Sequence, residues 1–219
     1  MFGGYMNRLV AAVAGLAMMG CALMARAEST EAPDVMVKSA VMEVLTVIKQ
    51  GKSDKAQLEE LVNTRVLPLF DFTLMTKRTV DRQTWKDATP EQKKMLVEGF
   101  RDLLVRSYIG KAFGASKNVT VKFEPTNYAP SDDQVTVKTQ ITTPGEAPVA
   151  VEYDLKKTSA GWKVVDFSVA GPRVALEMYN GQFSAPLRQS GIDGVIKFLV
   201  DKKLAAENSA ASVRKADAK

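Results

Sequence analysis

The sequence contains no histidine and a single cysteine, Cys21. A chain without imidazole or a second thiol cannot form a Ser-His-Asp triad, a typical zinc site or an internal disulfide. The one thiol lies in an apolar stretch at the start of the chain, so the rest of the sequence also lacks a thiolate nucleophile. These absences exclude most familiar catalytic chemistry and favour a function in binding.

The apolar stretch has the features of a secretory signal peptide. Arg8 precedes an apolar run from Leu9 to Met24, and Ala25-Arg26-Ala27 places small residues where signal peptidase requires them. The run is shorter than the roughly 20 residues of a transmembrane helix. We therefore predict a signal peptide over residues 1–27, cleaved after Ala27, and export of the mature chain.

Two alternatives concern the same stretch. Translation starts at either Met1 or Met6. If it starts at Met6, residues 1–5 lie upstream of the signal peptide. Cys21 could become the lipidated cysteine of a lipoprotein, although Met18-Met19-Gly20 is a poor sequence for that processing. We favour the exported, unlipidated form.

Composition narrows the possible ligands. The formal net charge is only +5 and falls when Arg8 and Arg26 leave with the signal, and no Lys/Arg cluster alternates with aromatic residues, so nucleic acid is not an expected partner. The sequence has neither a glycine-rich phosphate loop nor an acidic cluster with metal-ligand spacing. We therefore predict no cofactor and no metal.

The first part of the mature chain is predicted to be helical. Apolar residues recur at helical spacing from Pro33 until Gly51, and a second helix capped by Ser53 ends at Pro68. A short third helix is predicted within residues 67–75. Thr89-Pro90-Glu91-Gln92 is a capping box and opens the strongest helix, which Gly114 ends.

The apolar period then changes from 3.6 to 2, which predicts four strands. They are centred on residues 119–123, 135–141, 149–155 and 162–169, with short polar turns between them that favour an antiparallel meander. In the fourth strand, alternation places Trp162 and Val164 on one face and Val165, Phe167 and Val169 on the other. We therefore expect both faces of that strand to be covered.

Helices return after Gly171-Pro172, with a first segment ending near Pro186 and a last helix beginning at Gly191-Ile192-Asp193-Gly194. The overall prediction is one α+β domain over residues 28–204, with the sheet covered by N- and C-terminal helices. Residues 205–219 are rich in alanine, serine and lysine without periodicity, and we predict a disordered tail.

The candidate functional features are two carboxylates and a larger number of big apolar residues, such as those within residues 70–75, than a small core needs. Asp71 lies among large apolar residues and Asp166 lies within a strand, so burial could raise the pKa of either and make it a base. A structural role is the more common one for such acids. The apolar surplus either fills an ordinary core or lines a pocket between helices and sheet.

Parts of the sequence resemble the MlaC (toluene-tolerance, phospholipid-binding) family. The resemblance rests on Thr84-Trp85-Lys86-Asp87-Ala88-Thr89-Pro90-Glu91-Gln92 with the helix behind it, and on Gly161-Trp162-Lys163-Val164-Val165-Asp166-Phe167. It continues through Tyr179-Asn180-Gly181-Gln182-Phe183 to Gly191-Ile192-Asp193-Gly194-Val195-Ile196. Ala170-Gly171-Pro172-Arg173 departs from the family pattern, which usually has an acidic residue before the glycine and Val-Ser after it.

The resemblance implies an NTF2-like α+β body with a four-stranded or larger antiparallel sheet around an apolar lipid cavity. It implies a monomeric periplasmic carrier of glycerophospholipid, with no catalytic residues. The implied partners are an outer-membrane lipoprotein complex and an inner-membrane ABC transporter that bears an MCE-domain protein. The residues that we expect to line the cavity are Phe70, Phe72, Met75, Phe100, Leu104, Tyr108, Val137, Tyr153, Phe167, Met178 and Phe183.

Two other functions remain open from the residues themselves. One is an NTF2-like enzyme that uses Asp71 or Asp166 as a base on an apolar substrate. The other is a periplasmic adaptor that binds only proteins and has a fully packed core.

Overall fold

Four antiparallel strands follow one group of helices and precede another, which confirms the α+β class. The computed structural model describes residues 31–50, 55–109 and 118–217, so the predicted signal peptide, Cys21, Ser53 and Gly114 lie outside the described residues. Within these three ranges, no helix has the length and apolar character needed to cross a bilayer.

The first helices agree in part with the sequence prediction. Helix α1 spans Pro33–Gln50, with Asp34 in its first turn and Lys49 in its last, where each charge complements the helix dipole. Helix α2 covers only Lys55–Leu61. The chain then widens into a π-helical turn at Val62–Val66 and tightens into a 3₁₀ turn at Leu67–Leu69, so the regular helix ends before Pro68.

Helices α3 and α4 span Phe72–Lys77 and Arg82–Asp87, and each begins with an aspartate cap. Helix α5 spans Pro90–Leu104, and the predicted capping box is present. The Thr89 hydroxyl accepts a hydrogen bond from the Gln92 N–H (3.1 Å), and the Gln92 side-chain oxygen accepts one from the Thr89 N–H (2.9 Å). The helix continues into a second π-helical turn, Val105–Ile109.

The predicted meander is confirmed. Strands β1 (Thr120–Phe123), β2 (Gln134–Thr142), β3 (Val149–Thr158) and β4 (Gly161–Val169) pair antiparallel in the order β1-β2-β3-β4. Strand β4 is buried on both faces, as expected from its apolar residues on alternate positions of each face.

A β-bulge changes which residues of β4 share a face. Asp154 pairs with Asp166 and Leu155 pairs with Val164, so Val165 is an extra residue between two consecutive pairs. The extra residue shifts the alternation of side chains by one. The side chains of Val164 and Phe167 therefore lie on the same face, where both line an apolar cavity. The prediction that these two side chains lie on opposite faces was therefore wrong. We call the face that carries them the inner face.

The outer face of the sheet carries a charged cluster. Arg173, which follows β4, makes two hydrogen bonds to the Asp154 carboxylate (2.6 and 2.7 Å). It also donates to Glu152 (2.9 Å) and to the Ser168 hydroxyl (2.8 Å). Thr136 adds a bond to Asp154 (2.8 Å). The cluster joins three neighbouring strands to the segment that leads into the C-terminal helices.

The C-terminal region differs from the prediction at two points. Helix α6 spans Val174–Asn180, and α7 spans Ser184–Asp217 with a kink at Ser190 and Gly191. Pro186 lies in the first turn of α7, where proline is tolerated, and does not end a segment. The prediction of a disordered tail was also wrong for residues 205–217, which continue the helix. Their sequence is rich in alanine, which has a high helix propensity.

The helices pack against one another and the sheet through two main apolar cores and a smaller third one between α1, α2 and the residue before β1. The larger joins α3, α5, α6 and α7 with β4, and its fully buried members include Met75, Leu96, Phe100, Phe183 and Val195. The second joins the first turn of α1 to the inner face through Val37, Val135, Val137, Leu155 and Trp162, among others.

Gly194 allows the two parts of α7 to meet at the kink. A Cβ atom on Gly194 would lie 2.4 Å from the Pro186 carbonyl oxygen. We expect Gly194→Ala to lower the free energy of unfolding by about 1–3 kcal/mol, since this clash with backbone outweighs the roughly 1 kcal/mol of helix propensity that alanine adds. Urea denaturation measures the change. Gly171→Ala is the control, because its Cβ would lie 3.7 Å from the nearest atom, and equal effects would contradict the account.

Arg173 makes a contribution to stability that depends on pH. Its hydrogen bond is the main cause that lowers the pKa of Glu152 below the ordinary 4.5. A carboxylate with a lowered pKa stabilises the fold above its unfolded pKa, and this stabilisation is lost as the pH falls through the lowered value. We therefore expect Arg173→Gln to cost about 2 kcal/mol near pH 7 and progressively less below pH 4.5.

Urea titrations at a series of pH values test this expectation. Lys138→Gln is the matched control, because Lys138 is a half-exposed second cation 3.6 Å from Glu152. It should cost well under 1 kcal/mol. A cost of Arg173→Gln that stays constant between pH 7 and pH 3.5 would contradict the assignment.

Candidate functional site

An apolar cavity of about 490 Å³ lies between α1 and the inner face of the sheet. The described residues of its wall are aliphatic and aromatic, and the two tyrosine hydroxyls are the only side-chain groups among them that can form hydrogen bonds. The lining residues are Val37, Ala40, Val41, Val44, Leu45, Ile48, Leu58, Val62, Val66, Leu67, Leu69, Phe70, Phe72, Leu104, Val105, Tyr108, Val119, Val121, Ile141, Val151, Tyr153, Val164, Phe167 and Val169.

Helix α1 is packed most tightly at its two ends, and its middle lines the cavity. Met36 and Val37 pack against the inner face in the cluster that includes Trp162. Leu45 and Ile48 pack in a separate cluster with Leu58 and Val119. Between these clusters, Ala40, Val41 and Val44 are only half-buried and face the cavity. The middle of α1 therefore forms one wall of the cavity, and Val41 and Val44 also touch the clusters at its ends.

A chain of aromatic contacts forms another part of the wall. Phe72 stacks on Phe70 with ring centroids 5.6 Å apart, and Phe70 meets Phe167 edge-on at 6.2 Å. Tyr108 meets Phe167 edge-on at 5.0 Å. Such contacts fix ring positions and contribute about 0.5–1.5 kcal/mol each beyond burial. The bulge at Val165 makes this chain possible, since it turns Phe167 to the inner face.

The two tyrosines of the wall differ in their polar surroundings. Burial raises the pKa of Tyr153, and its neighbour Thr139 opposes the rise through a side-chain interaction. Burial also raises the pKa of Tyr108, and the negative charges of Glu177 and Asp166 add to that effect. Both phenols are therefore neutral at physiological pH.

The cavity reaches solvent near the end of β4. Val169 lines the cavity and yet is 40 % exposed, whereas Val164, at the other end of the same strand, is 3 % exposed. Val164 belongs to the packed cluster under the first turn of α1. The mouth therefore lies at the Val169 end of the sheet, and the packed end lies around Val164.

Six of the eleven residues expected to line the cavity do so: Phe70, Phe72, Leu104, Tyr108, Tyr153 and Phe167. The other five are packed elsewhere. Met75, Phe100, Met178 and Phe183 belong to the core between α3, α5, α6 and α7, and Val137 lies under the first turn of α1. The sequence shows that these side chains are apolar and inward, but not which of two adjacent apolar regions they enter.

The sequence analysis did not predict that α1 lines the cavity. It used the apolar recurrence in this helix only to predict the helix itself, at Val37, Val41, Val44, Leu45 and Ile48. An available signal was that Ala40 widens this face beyond what one packed stripe needs. The emphasis on aromatic residues and methionine also hid the many valines and leucines of the wall.

Neither candidate base lines the cavity. The Asp71 carboxylate caps α3 by accepting the Leu74 N–H (2.8 Å). Asp166 shares the outer-face row of Asp154 and accepts the N–H groups of Phe167 (2.9 Å) and Ala175 (3.2 Å). Burial raises its pKa, against the effect of these bonds. Both carboxylates therefore have structural roles, because each accepts hydrogen bonds from backbone N–H groups.

Two further findings limit the alternatives. Among residues 31–50, 55–109 and 118–217, no three His, Cys, Asp or Glu side chains come together to hold a metal ion. The cavity is far larger than the 30 Å³ that one water molecule occupies in the liquid, so the fully packed core expected of a pure protein adaptor is not present.

Comparison with known proteins supports the resemblance found in the sequence. The MlaC protein family model matches residues 38–201. A solved structure from Ralstonia solanacearum, a phospholipid-binding protein in complex with a phospholipid, is 33 % identical, with a TM-score of 0.70. The match covers 78 % of this chain and 97 % of that one. No curated protein matches. On the family match and the shared fold, the chain belongs to the MlaC family.

Proposed function

We propose that this protein is a phospholipid carrier that shields acyl chains in the cavity between α1 and the sheet. The proposal depends on the composition of the cavity wall. The described residues that line it include no charged side chain and only two hydroxyls, and they enclose about 490 Å³. Two acyl chains contain about 30 CH₂ groups, and exposing them to water would cost over 20 kcal/mol at about 0.8 kcal/mol each. A carrier therefore needs such an enclosed apolar surface.

The cavity residues have complementary roles in this proposal. Phe70, Phe72 and Phe167 contact the acyl chains from the sheet side, together with Leu104, Tyr108 and Tyr153. The middle of α1 contacts them from the opposite side. Met75, Phe100, Val137, Met178 and Phe183 support the wall from the packed cores and do not touch the cargo.

The headgroup lies outside the mouth near Val169 in this proposal. Apolar contacts have little directional selectivity, and no charged side chain lines the wall. We therefore expect the carrier to discriminate weakly between headgroups of similar size.

The wider context follows from family membership and the predicted signal peptide. We propose that the chain is exported, cleaved after Ala27 and released into the periplasm of a Gram-negative bacterium as a monomer. There it would carry phospholipid between an outer-membrane lipoprotein complex and an inner-membrane ABC transporter with an MCE-domain protein. This traffic would maintain the lipid asymmetry of the outer membrane.

Lipid bound to the purified protein tests the function directly. We expect native mass spectrometry of protein isolated from the periplasm to show co-purified phospholipid, and labelled phospholipid to pass from vesicles to the protein. Ala40→Phe fills the cavity from the middle of α1 and should reduce the bound lipid severalfold, since overpacking disfavours a second occupant of the same space.

Lys38→Phe is the matched control, because Lys38 is exposed on the same helix, two residues away. It adds the same ring outside the cavity and should leave lipid binding unchanged. Absence of lipid from the wild-type protein, together with no uptake from vesicles, would overturn the proposal. Equal loss in both variants would argue against the cavity as the binding site.

The carboxylates separate a carrier from an enzyme. We expect Asp71→Asn and Asp166→Asn to retain bound phospholipid, because both groups lie outside the cavity. Asp71→Asn should cost no more than about 1 kcal/mol, since asparagine also caps helices well. Mass spectrometry of the bound lipid and urea denaturation measure the two effects. Chemical conversion of the bound lipid by wild type, lost in either variant, would support the enzyme instead.

A further inference from the structure

The two hydroxyls of the cavity wall flank the same aromatic ring. Tyr153 is the register partner of Phe167 across β3 and β4, and the Tyr108 ring lies 5.0 Å from Phe167. Every other described side chain of the wall is a hydrocarbon, so among the described residues any polar recognition of cargo within the cavity depends on these two groups.

Within the described residues, the two hydroxyls differ in their polar neighbours. Tyr153 has the Thr139 side chain as its polar neighbour. The Thr139 hydroxyl donates its own hydrogen to the Val151 carbonyl oxygen (3.0 Å), so its oxygen remains available to accept from Tyr153. The Tyr108 hydroxyl has no hydrogen-bond partner in the protein within the described ranges. A hydroxyl in an apolar wall favours a ligand that offers an acceptor.

The surroundings of Tyr108 favour a neutral acceptor. Burial raises the pKa of Tyr108, and the negative charges of Glu177 and Asp166 add to that rise, so these charges place negative potential at its hydroxyl. Among the described residues, no lysine or arginine side chain lines the cavity to offset that potential. A phosphate would be repelled there, whereas a carbonyl oxygen carries no net charge.

The depth of Tyr108 in the cavity agrees with an ester group. Phe167 precedes Val169 at the mouth by two residues on the same face, which corresponds to about 7 Å along the strand. Tyr108 contacts Phe167, so its ring lies a short distance inside the mouth. In a lipid whose headgroup remains outside, the ester carbonyls join the headgroup region to the acyl chains and occupy that depth.

We propose that the Tyr108 hydroxyl donates a hydrogen bond to an ester carbonyl of the cargo and so makes the cavity selective for acyl esters over alkyl ethers. This inference rests on the proposed function, since it assumes that a glycerophospholipid occupies the cavity. The hydrocarbon wall sets the gross affinity, and the single hydroxyl fixes the chemical class of the linkage and the depth of insertion.

Competition between two matched lipids tests the inference. A fluorescent phospholipid bound to the mature protein is displaced by a diacyl phosphatidylcholine or by its dialkyl ether analogue with the same headgroup and chain lengths. We expect wild type to prefer the diester about three- to tenfold, as one net hydrogen bond implies. Tyr108→Phe should bring this preference to about one, mainly by weakening diester binding.

Tyr153→Phe is the matched control. It removes the same atom from a hydroxyl that already has a protein neighbour, and it should keep the preference for the diester. The infrared stretch of a ¹³C-labelled ester carbonyl gives a second readout, with a shift to lower frequency in wild type and in Tyr153→Phe but not in Tyr108→Phe. Thermal unfolding establishes that the variants are folded, and the wild-type comparison needs no variant.

Equal affinity of wild type for the two lipids would overturn the inference, even though the protein would still be a phospholipid carrier. A preference that survives in Tyr108→Phe, or one that is lost in Tyr153→Phe, would overturn the assignment to Tyr108. Failure of both lipids to bind at all would instead overturn the proposed function.

Discussion

The attachment of α1 at its two ends is the constraint on which the rest of the structure depends. One apolar cluster holds its first turn against the packed end of the sheet, and another holds its last turns against α2 and the start of β1. A helix anchored along its whole length would close the gap. Because the middle residues are only half-buried, the apolar surface that would otherwise complete a core forms the wall of a cavity.

The sheet keeps its two faces chemically separate. The outer face carries Arg173 with Glu152 and Asp154, where partly buried charges and hydrogen bonds stabilise the return of the chain toward α6. The inner face carries only apolar side chains and phenols toward the cavity. The bulge at Val165 supports this separation, since it turns Phe167 inward while Asp166 stays in the outer row with Asp154. An inert interior of this kind needs neither histidine nor cysteine.

The sequence predicted features that depend on neighbouring residues and missed those that depend on distances between elements. The Thr89 capping box and the four-stranded meander were recovered, because capping residues, turn residues and alternation act locally. The face of Phe167 was wrong, because an inserted residue at a bulge leaves no mark in an apolar run. Phe100 and Phe183 were assigned to the cavity for a related reason, since burial in a core and lining of a cavity demand the same apolar side chain.

The central claim is that acyl chains occupy the space between α1 and the inner face. Photo-crosslinking of a phospholipid with a diazirine near the end of one acyl chain, followed by peptide mapping, tests it most directly. If acyl chains lie there, we expect labelled peptides from α1 and from the inner-face residues of β3 and β4, with little label on α7. Label concentrated on α7 or on the outer face, or the same pattern after Ala40→Phe, would contradict the account.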